Sequence, residues 1–270
     1  MTINYLKKFR LDKKKAIVLG GCGLIGEQIS LALSAAGAKV YIFDIDKKKG
    51  KEIEKKNKGK IFFYYFDVTK IDLLEKNINT FISKDRCPDI FINSTYPATD
   101  NWGNSSFKNN SLSNLRNNID IQLNSNSWSA YKICELMKKS KIKGSVILLS
   151  SIYGVSAQNM NLYKNTSISE NMNYPIIKAG IINFSKQLSS YYSQYGLRIN
   201  TISPGGIRGH VKNSKATQDK IFLKNYKNMC PMKRMGNPEE IASVALFLAA
   251  DASSYISGTN ILVDGGWSAV

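Results

Sequence analysis

The chain has 270 residues, enough for one large α/β domain or two small ones, and carries a formal net charge of +18. No apolar run reaches the roughly 18 residues of a membrane-spanning helix. The lysine-rich start Met1–Lys15 lacks the apolar stretch of a signal peptide, and Cys22, Cys87, Cys134 and Cys230 are scattered without a Cys-x-x-Cys pair. A metal site and a disulfide framework are therefore not expected, and reduced thiols in the cytoplasm fit this usage. The positive charge invites a nucleic-acid reading, but the excess is nearly all lysine spread along helices. Arginine, whose fork suits phosphate and guanine, is scarce. Charge of this kind speaks to non-specific contacts, and no nucleic-acid partner is expected.

Taken in chain order, short apolar runs alternate with segments of helical length. Ala16–Leu19, Val40–Phe43, Ile61–Phe66, Ile90–Ile92, Val146–Leu149, Ile199–Ile202 and Ile261–Val263 read as buried strands. Ile25–Ala36, Ile71–Ile82 and Ile176–Tyr192 read as helices between them. This alternation predicts a parallel sheet covered on both faces, and no internal repeat or linker interrupts it. Three stretches break the rhythm. Thr95–Asn114 is polar and asparagine-rich, Gln158–Asn173 is an irregular polar insert, and His210–Cys230 has weak helical character. All three follow strands, so they belong at the carboxyl edge of the sheet, where ligands bind in such folds. Segments 158–173 and 208–230 are the expected substrate-side elements.

Leu19-Gly20-Gly21-Cys22-Gly23-Leu24-Ile25-Gly26 follows the first strand and opens the first helix. In that context Gly20 permits a tight turn, Gly23 lets backbone approach a pyrophosphate, and Gly26 lets helix and strand pack closely. Leu24 and Ile25 begin the helix whose free N–H groups face the phosphates. Asp44 ends the second strand, where a carboxylate binds a ribose 2′-hydroxyl and repels a 2′-phosphate, so NAD is favoured over NADP. Lys47–Lys49 lies just beyond and could host a phosphate, and Asp44 could instead cap the next helix. Asp67-Val68 and Asn93 close the third and fourth strands, positions near a bound adenine and ribose, although polar residues there also serve as caps.

Ser151 follows the fifth strand, and Tyr174 and Lys178 stand four apart in Tyr-Pro-Ile-Ile-Lys at the head of a helix. One helical turn places both side chains on one face. Hydroxyl, phenol and ammonium brought together make a proton-transfer site. Tyr163 competes for the role, twelve residues after Ser151, but the residue four beyond it is Ser167. Without a cation a turn away a phenol keeps a pKa near 10, so Tyr174 is the expected acid/base and 158–173 an insertion. Pro175 suits a first helical turn.

With these residues in place the chain resembles the short-chain dehydrogenase/reductase family from about Lys14 to Ala269. The resemblance is carried by Leu-Ser-Ser-Ile, Ile-Ser-Pro-Gly-Gly-Ile, and the stretch from Pro-Met-Lys-Arg-Met-Gly-Asn-Pro-Glu-Glu-Ile-Ala to Val-Asp-Gly-Gly-Trp. Within the family it is similar to the flagellin modification protein A type. The signs are Tyr96-Pro97, Asn101-Trp102-Gly103, Ser-Ser-Ile-Tyr-Gly-Val and the long insert before Tyr174. The resemblance implies a single α/β domain over residues 1–270 with a doubly wound, seven-stranded parallel sheet, a nicotinamide cofactor, a homotetramer or homodimer, and a substrate among bacterial surface sugars. It implies that Ser151 hydrogen-bonds the reacting oxygen and that Tyr174 is general acid/base. Lys178 would bind nicotinamide ribose and lower the tyrosine pKa, and Pro204, Gly205 and Ile207 would line the nicotinamide. The chain departs from the family at Leu19 and Gly209, where threonine is usual, and at Gln122, which aligns with the asparagine of the catalytic tetrad. Arg208 and His210 are possible substrate contacts, and Trp102 and Tyr96 possible walls of a sugar pocket. A non-catalytic nucleotide sensor on the same fold is the competing reading. Its mark would be an eroded Ser, Tyr or Lys, and all three are present.

Overall fold

The computed structural model describes residues 4–97, 99–100, 102–209 and 219–270. Asn101 and His210 lie outside them, as do residues 211–218 of the expected substrate-side segment.

Seven parallel strands form one sheet in the order β3-β2-β1-β4-β5-β6-β7. They are β1 (Lys15–Leu19), β2 (Lys39–Asp44), β3 (Ile61–Tyr65), β4 (Ile90–Asn93), β5 (Ser145–Leu149), β6 (Arg198–Pro204) and β7 (Asn260–Val263). All seven expected strands are present, within three residues at each end. The order reverses between β1 and β4, the switch point beyond whose carboxyl ends sheets of this kind form their ligand crevice.

Both sheet faces are buried, which explains why the strand sequences are apolar throughout rather than alternating. Ala16 and Val18 of β1 face α1 (Leu24–Ala35) and α8 (Pro238–Ala249), packing with Ile29, Leu33, Ala245 and Leu248. Ile17 and Leu19 face the other way, into a core with Phe81, Ile133, Met137, Ile177 and Ile181. That layer is built from α3 (Ile71–Lys84), α5 (Ser125–Lys139) and α6 (Asn173–Tyr192). Each such side chain removed from water contributes about 1.5–3 kcal/mol. A third, smaller cluster of Ile152, Leu162, Tyr226, Cys230, Met235 and Trp267 sits over the carboxyl edge and supports the loops there.

Local chemistry fixes the remaining helices. Asp46 caps α2 (Lys47–Lys56) by accepting the Lys49 N–H at 3.1 Å. Ser111 caps α4 (Leu112–Asn118) through the Asn114 N–H at 3.1 Å. Segment 210–230, expected to be weakly helical, contains a regular helix, α7 (Lys220–Met229). Its cap is Asp219, whose Oδ1 accepts the N–H groups of Ile221 and Phe222 at 2.8 and 3.0 Å. Among the described residues no helix is long and apolar enough to cross a membrane.

Candidate active site

The glycine turn stands at the β1 end of the crevice. Gly20 adopts φ +78°, a left-handed conformation that favours glycine, and its N–H donates to the Phe43 carbonyl at 2.8 Å. A Cβ at Gly26 would collide with the Gly20 carbonyl oxygen and the Ser94 hydroxyl. At Gly23 a Cβ would meet, among the described residues, only the Gly20 carbonyl oxygen, at 3.2 Å, which leaves backbone there for a ligand to approach. Gly23 is also the N-cap of α1, and Leu24 and Ile25 start that helix. A closed inner side, approachable backbone and a helix N-terminus together fit a pyrophosphate.

Asp44 ties this turn to the next strand. Its Oδ2 accepts the Cys22 N–H at 2.9 Å and its Oδ1 the Asp46 N–H at 3.0 Å. Asp46, not Asp44, caps α2. Asp44 therefore lies at the corner between glycine turn and helix, where a ribose would rest. Asp67 makes a tight turn, its Oδ1 accepting the Thr69 N–H at 2.9 Å and hydroxyl at 2.7 Å, with Val68 buried beside it. Asn93 is fully buried, and its side chain serves the protein. Oδ1 accepts from the Thr95 N–H and hydroxyl, and Nδ2 donates to Ser129 Oγ at 3.2 Å. It pins the bend after β4, and its own amide is already used.

Ser151, Tyr174 and Lys178 converge on the β5 side of the crevice. Ser151 leaves β5 in an extended conformation and is buried; its Oγ accepts the Tyr153 N–H at 3.2 Å. Lys178 is buried in α6. Its Nζ donates to the Leu149 carbonyl at 3.3 Å and lies 5.4 Å from the centre of the Tyr174 ring. Burial alone lowers its pKa to about 8. Burial pushes the Tyr174 phenol up to about 12, opposed by its interaction with the Ser151 hydroxyl. In the chain alone, burial dominates the tyrosine, and the opposing effect comes from Ser151 rather than from the expected Lys178.

The head of α6 is held by a residue that the sequence did not single out. Asn171 Oδ1 accepts the N–H groups of Asn173 and Tyr174, each at 3.0 Å. Gln158 in turn grips Asn171 through its backbone: Nε2 donates to the Asn171 carbonyl at 2.8 Å and Oε1 accepts its N–H at 3.0 Å. Tyr163 also donates to Gln158 Oε1, at 3.2 Å, and its ring packs on Phe222. The competing phenol is thus committed to the insert, while Lys178 lies over Tyr174 and Tyr96. The helix begins at Asn173, so Tyr174 stands at its head and Pro175 in its first turn, as the sequence pattern predicts.

The insert 158–173 and the stretch after β4 are sewn together. Asn173 Nδ2 donates to Ser105 Oγ and Asn110 Nδ2 to Asn173 Oδ1, at 3.1 and 2.7 Å. Asn114 Nδ2 reaches the Asn104 carbonyl, and Asn118 Nδ2 reaches Asn114 Oδ1. On its other side the insert joins α7, where Ser167 N–H and hydroxyl donate to Asp219 Oδ2. Tyr96, Trp102 and Tyr153 surround the Tyr174 ring at 5.8, 6.0 and 6.3 Å between centres, all edge-on.

Gln122 lies in a wide π-type turn, Ile119–Asn124, between α4 and α5. It is buried, and among the described residues its Nε2 has no hydrogen-bond partner, a cost of about 1–3 kcal/mol for such a group. Such turns frequently mark functional sites. Beyond β6, Gly205 N–H donates to the Val263 carbonyl at 3.0 Å, continuing the pairing of Pro204. Gly206 N–H donates to the Tyr226 hydroxyl at 2.7 Å, and Ile207 forms a bridge with Gly236. The strip Pro204–Ile207 is thereby fixed along the crevice. Arg208 is exposed just beyond it.

A phosphate-ready glycine turn, a ribose-corner carboxylate and a Ser-Tyr-Lys trio on one sheet edge form a specific combination. The model of the enoyl-(acyl carrier protein) reductase family matches residues 23–268. The chain belongs to the short-chain dehydrogenase/reductase family. It is 28% identical to post-translational flagellin modification protein A of Campylobacter coli, over 95% of this chain and 99% of that protein. It is 33% identical to 3-oxoacyl-(acyl-carrier-protein) reductase of Chlamydia muridarum, over 95% of this chain and 98% of that one. A short-chain dehydrogenase of Leptospira borgpetersenii, solved with bound NAD+, superposes with a TM-score of 0.84 at 27% identity, over 99% of this chain and 97% of that one. Within this short-chain dehydrogenase/reductase the family's nicotinamide dinucleotide and the glycine turn agree. The chain is an oxidoreductase, and its substrate is a small molecule.

Proposed function

We propose that the protein interconverts a secondary alcohol and a ketone on a sugar or sugar phosphate used in bacterial surface glycans, with NAD preferred over NADP. The observation that carries the reading is the meeting of Ser151, Tyr174 and Lys178 beside the glycine turn. When bound, the dinucleotide supplies a hydride acceptor or donor. Ser151 positions the reacting oxygen by a hydrogen bond. Tyr174 takes the hydroxyl proton during oxidation and returns it during reduction. The Lys178 ammonium favours the phenolate in that step. Gly20, Gly23, Leu24, Ile25 and Gly26 hold the pyrophosphate, Asp44 the ribose, Asp67 and Val68 the adenine, and the turn pinned by Asn93 the second ribose. Pro204, Gly205 and Ile207 border the nicotinamide.

The aromatic edges of Tyr96, Trp102 and Tyr153 around Tyr174 favour a sugar, whose C–H faces pack on rings while its hydroxyls need polar partners nearby. The likeness to the flagellin modification protein supports a surface-glycan setting. Asp44 at the ribose corner supports NAD.

The test is a panel of sugars and sugar phosphates with NAD+ and NADP+, read as reduced coenzyme absorbance. A 3-oxoacyl thioester with reduced coenzyme runs in parallel. Turnover of a sugar that disappears in Tyr174→Phe supports the reading. Turnover confined to the thioester refutes the sugar assignment.

A further inference from the structure

We propose that Glu27 sets coenzyme choice as a positioning residue, by holding the Lys49 ammonium away from the place a 2′-phosphate would occupy. The inference rests on the ribose-corner reading of Asp44.

Three consecutive lysines, Lys47–Lys49, follow closely on Asp44, a run that should recruit a phosphate. The folded chain engages two of them. Lys49 Nζ lies 2.6 Å from Glu27 Oε2, with the two side chains 31% and 30% exposed. Lys47 Nζ lies 4.7 Å from the centre of the Tyr65 ring, and Lys48 is exposed. Glu27 is in the first turn of α1, directly after the glycine turn, and Lys49 in the first turn of α2. The Lys49 backbone is anchored by the Asp46 cap, and Asp46 donates its own N–H to Asp44. The root of Lys49 is therefore fixed beside the ribose corner, and only its flexible stem decides where the charge goes. The ammonium is turned toward α1 and neutralised by Glu27. An entering 2′-phosphate would meet the Asp44 carboxylate with that lysine already spent. Asp44 disfavours the phosphate by repulsion, and Glu27 occupies a cation that would offset part of that repulsion.

The experiment measures NADH and NADPH affinities by nicotinamide fluorescence titration, without turnover, on the full chain. The variants are Glu27→Gln, Lys49→Ala, their double substitution, and Glu27→Gln with Lys48→Ala. Partly exposed ion pairs are weak, so Glu27→Gln should tighten NADPH by about 2–5-fold relative to NADH. Unchanged NADH affinity shows that the site remains folded. The gain should vanish in Glu27→Gln/Lys49→Ala and persist with Lys48→Ala. An unchanged NADPH to NADH ratio in Glu27→Gln overturns the inference. So does a gain that survives loss of Lys49, because Glu27 would then act by direct repulsion alone. A gain lost with Lys48 instead assigns the cation wrongly and also overturns it. A wild-type chain that binds NADPH more tightly than NADH would sink the NAD preference. The ratios across the double substitution still decide the role of Glu27 in that case.

Discussion

The two corners of the crevice are made of different material. At Gly20–Gly26 the contacts that matter belong to the main chain: a left-handed turn, a close helix–strand approach and free N–H groups. At Tyr174 they belong to amide side chains: Asn171, Gln158, Asn173, Asn110 and Asn114. A main-chain site tolerates almost any neighbour that leaves its glycines alone. A side-chain site can be moved or reshaped one residue at a time. The difference explains how one coenzyme half can serve varied substrate halves.

The largest effect should come from the chemistry itself. Tyr174→Phe is expected to lower kcat by at least about 10²–10⁴-fold, the contribution of general acid/base catalysis. Coenzyme affinity should stay within about twofold, because the phenol belongs to the side-chain corner. Fluorescence titration alongside steady-state rates checks both; a parallel loss of affinity would mean that the two corners are not separable.

A second test breaks the other corner. Gly26→Ala drives a Cβ into the Gly20 carbonyl and the Ser94 hydroxyl. Overpacking of this kind costs about 1–3 kcal/mol. Coenzyme binding should fall with stability, as read by thermal melting with and without NADH. A variant that melts and binds like the parent would show the turn to be less tightly built than its geometry states.

Lys178 gives a pH-dependent prediction. Its pKa is about 8 in the folded chain and about 10.4 when unfolded. Below 8 the lysine is charged in both states, and burying that charge is a full penalty. Between 8 and about 10.4 the unfolded chain holds more protons, so stability rises with pH as the penalty is relieved. Lys178→Met should therefore stabilise the protein at pH 7, by on the order of 1–3 kcal/mol, while removing activity. The gain should shrink steadily from pH 8 toward about 10.4, above which the lysine is neutral in both states. Denaturant unfolding at pH 7 and pH 10 measures it, and a gain of equal size at both would contradict the burial argument.

The smallest effect separates cap from chemistry. Asn171→Ala removes the acceptor for two N–H groups at the head of α6, a loss of about 1 kcal/mol. It should lower kcat several-fold and leave coenzyme affinity unchanged. Asn171→Asp, which keeps the acceptor, should restore most of the rate. Failure of that rescue would place Asn171 outside the positioning of Tyr174.

The glycine turn, the strands and the Tyr-Lys spacing were legible because each is a local pattern. A turn needs glycine at fixed intervals, a doubly covered strand reads as an apolar run, and a helical turn sets the four-residue offset. The amide network was not legible. Gln158 and Asn171 are thirteen residues apart with nothing periodic between them, and Asn114 meets Ser105 across a bend no propensity forecasts. Helix α7 was read as weak because its opening signal, Asp219, follows a polar stretch that hides where periodicity starts. The role of Glu27 depends on two helices meeting and has no signature in either.

The grip of Gln158 on Asn171 has an evolutionary consequence. It closes the insert at its neck, so the residues that orient Tyr174 are gathered at 158 and 171, while residues 159–170 form the body of a loop whose two ends are already joined. That body keeps two further seats, Ser167 on the cap of α7 and Leu162 in the carboxyl-edge cluster, and a loop rewritten around them leaves the catalytic helix in place. A lineage that keeps the neck and rewrites the loop can acquire new substrates at little cost to its chemistry.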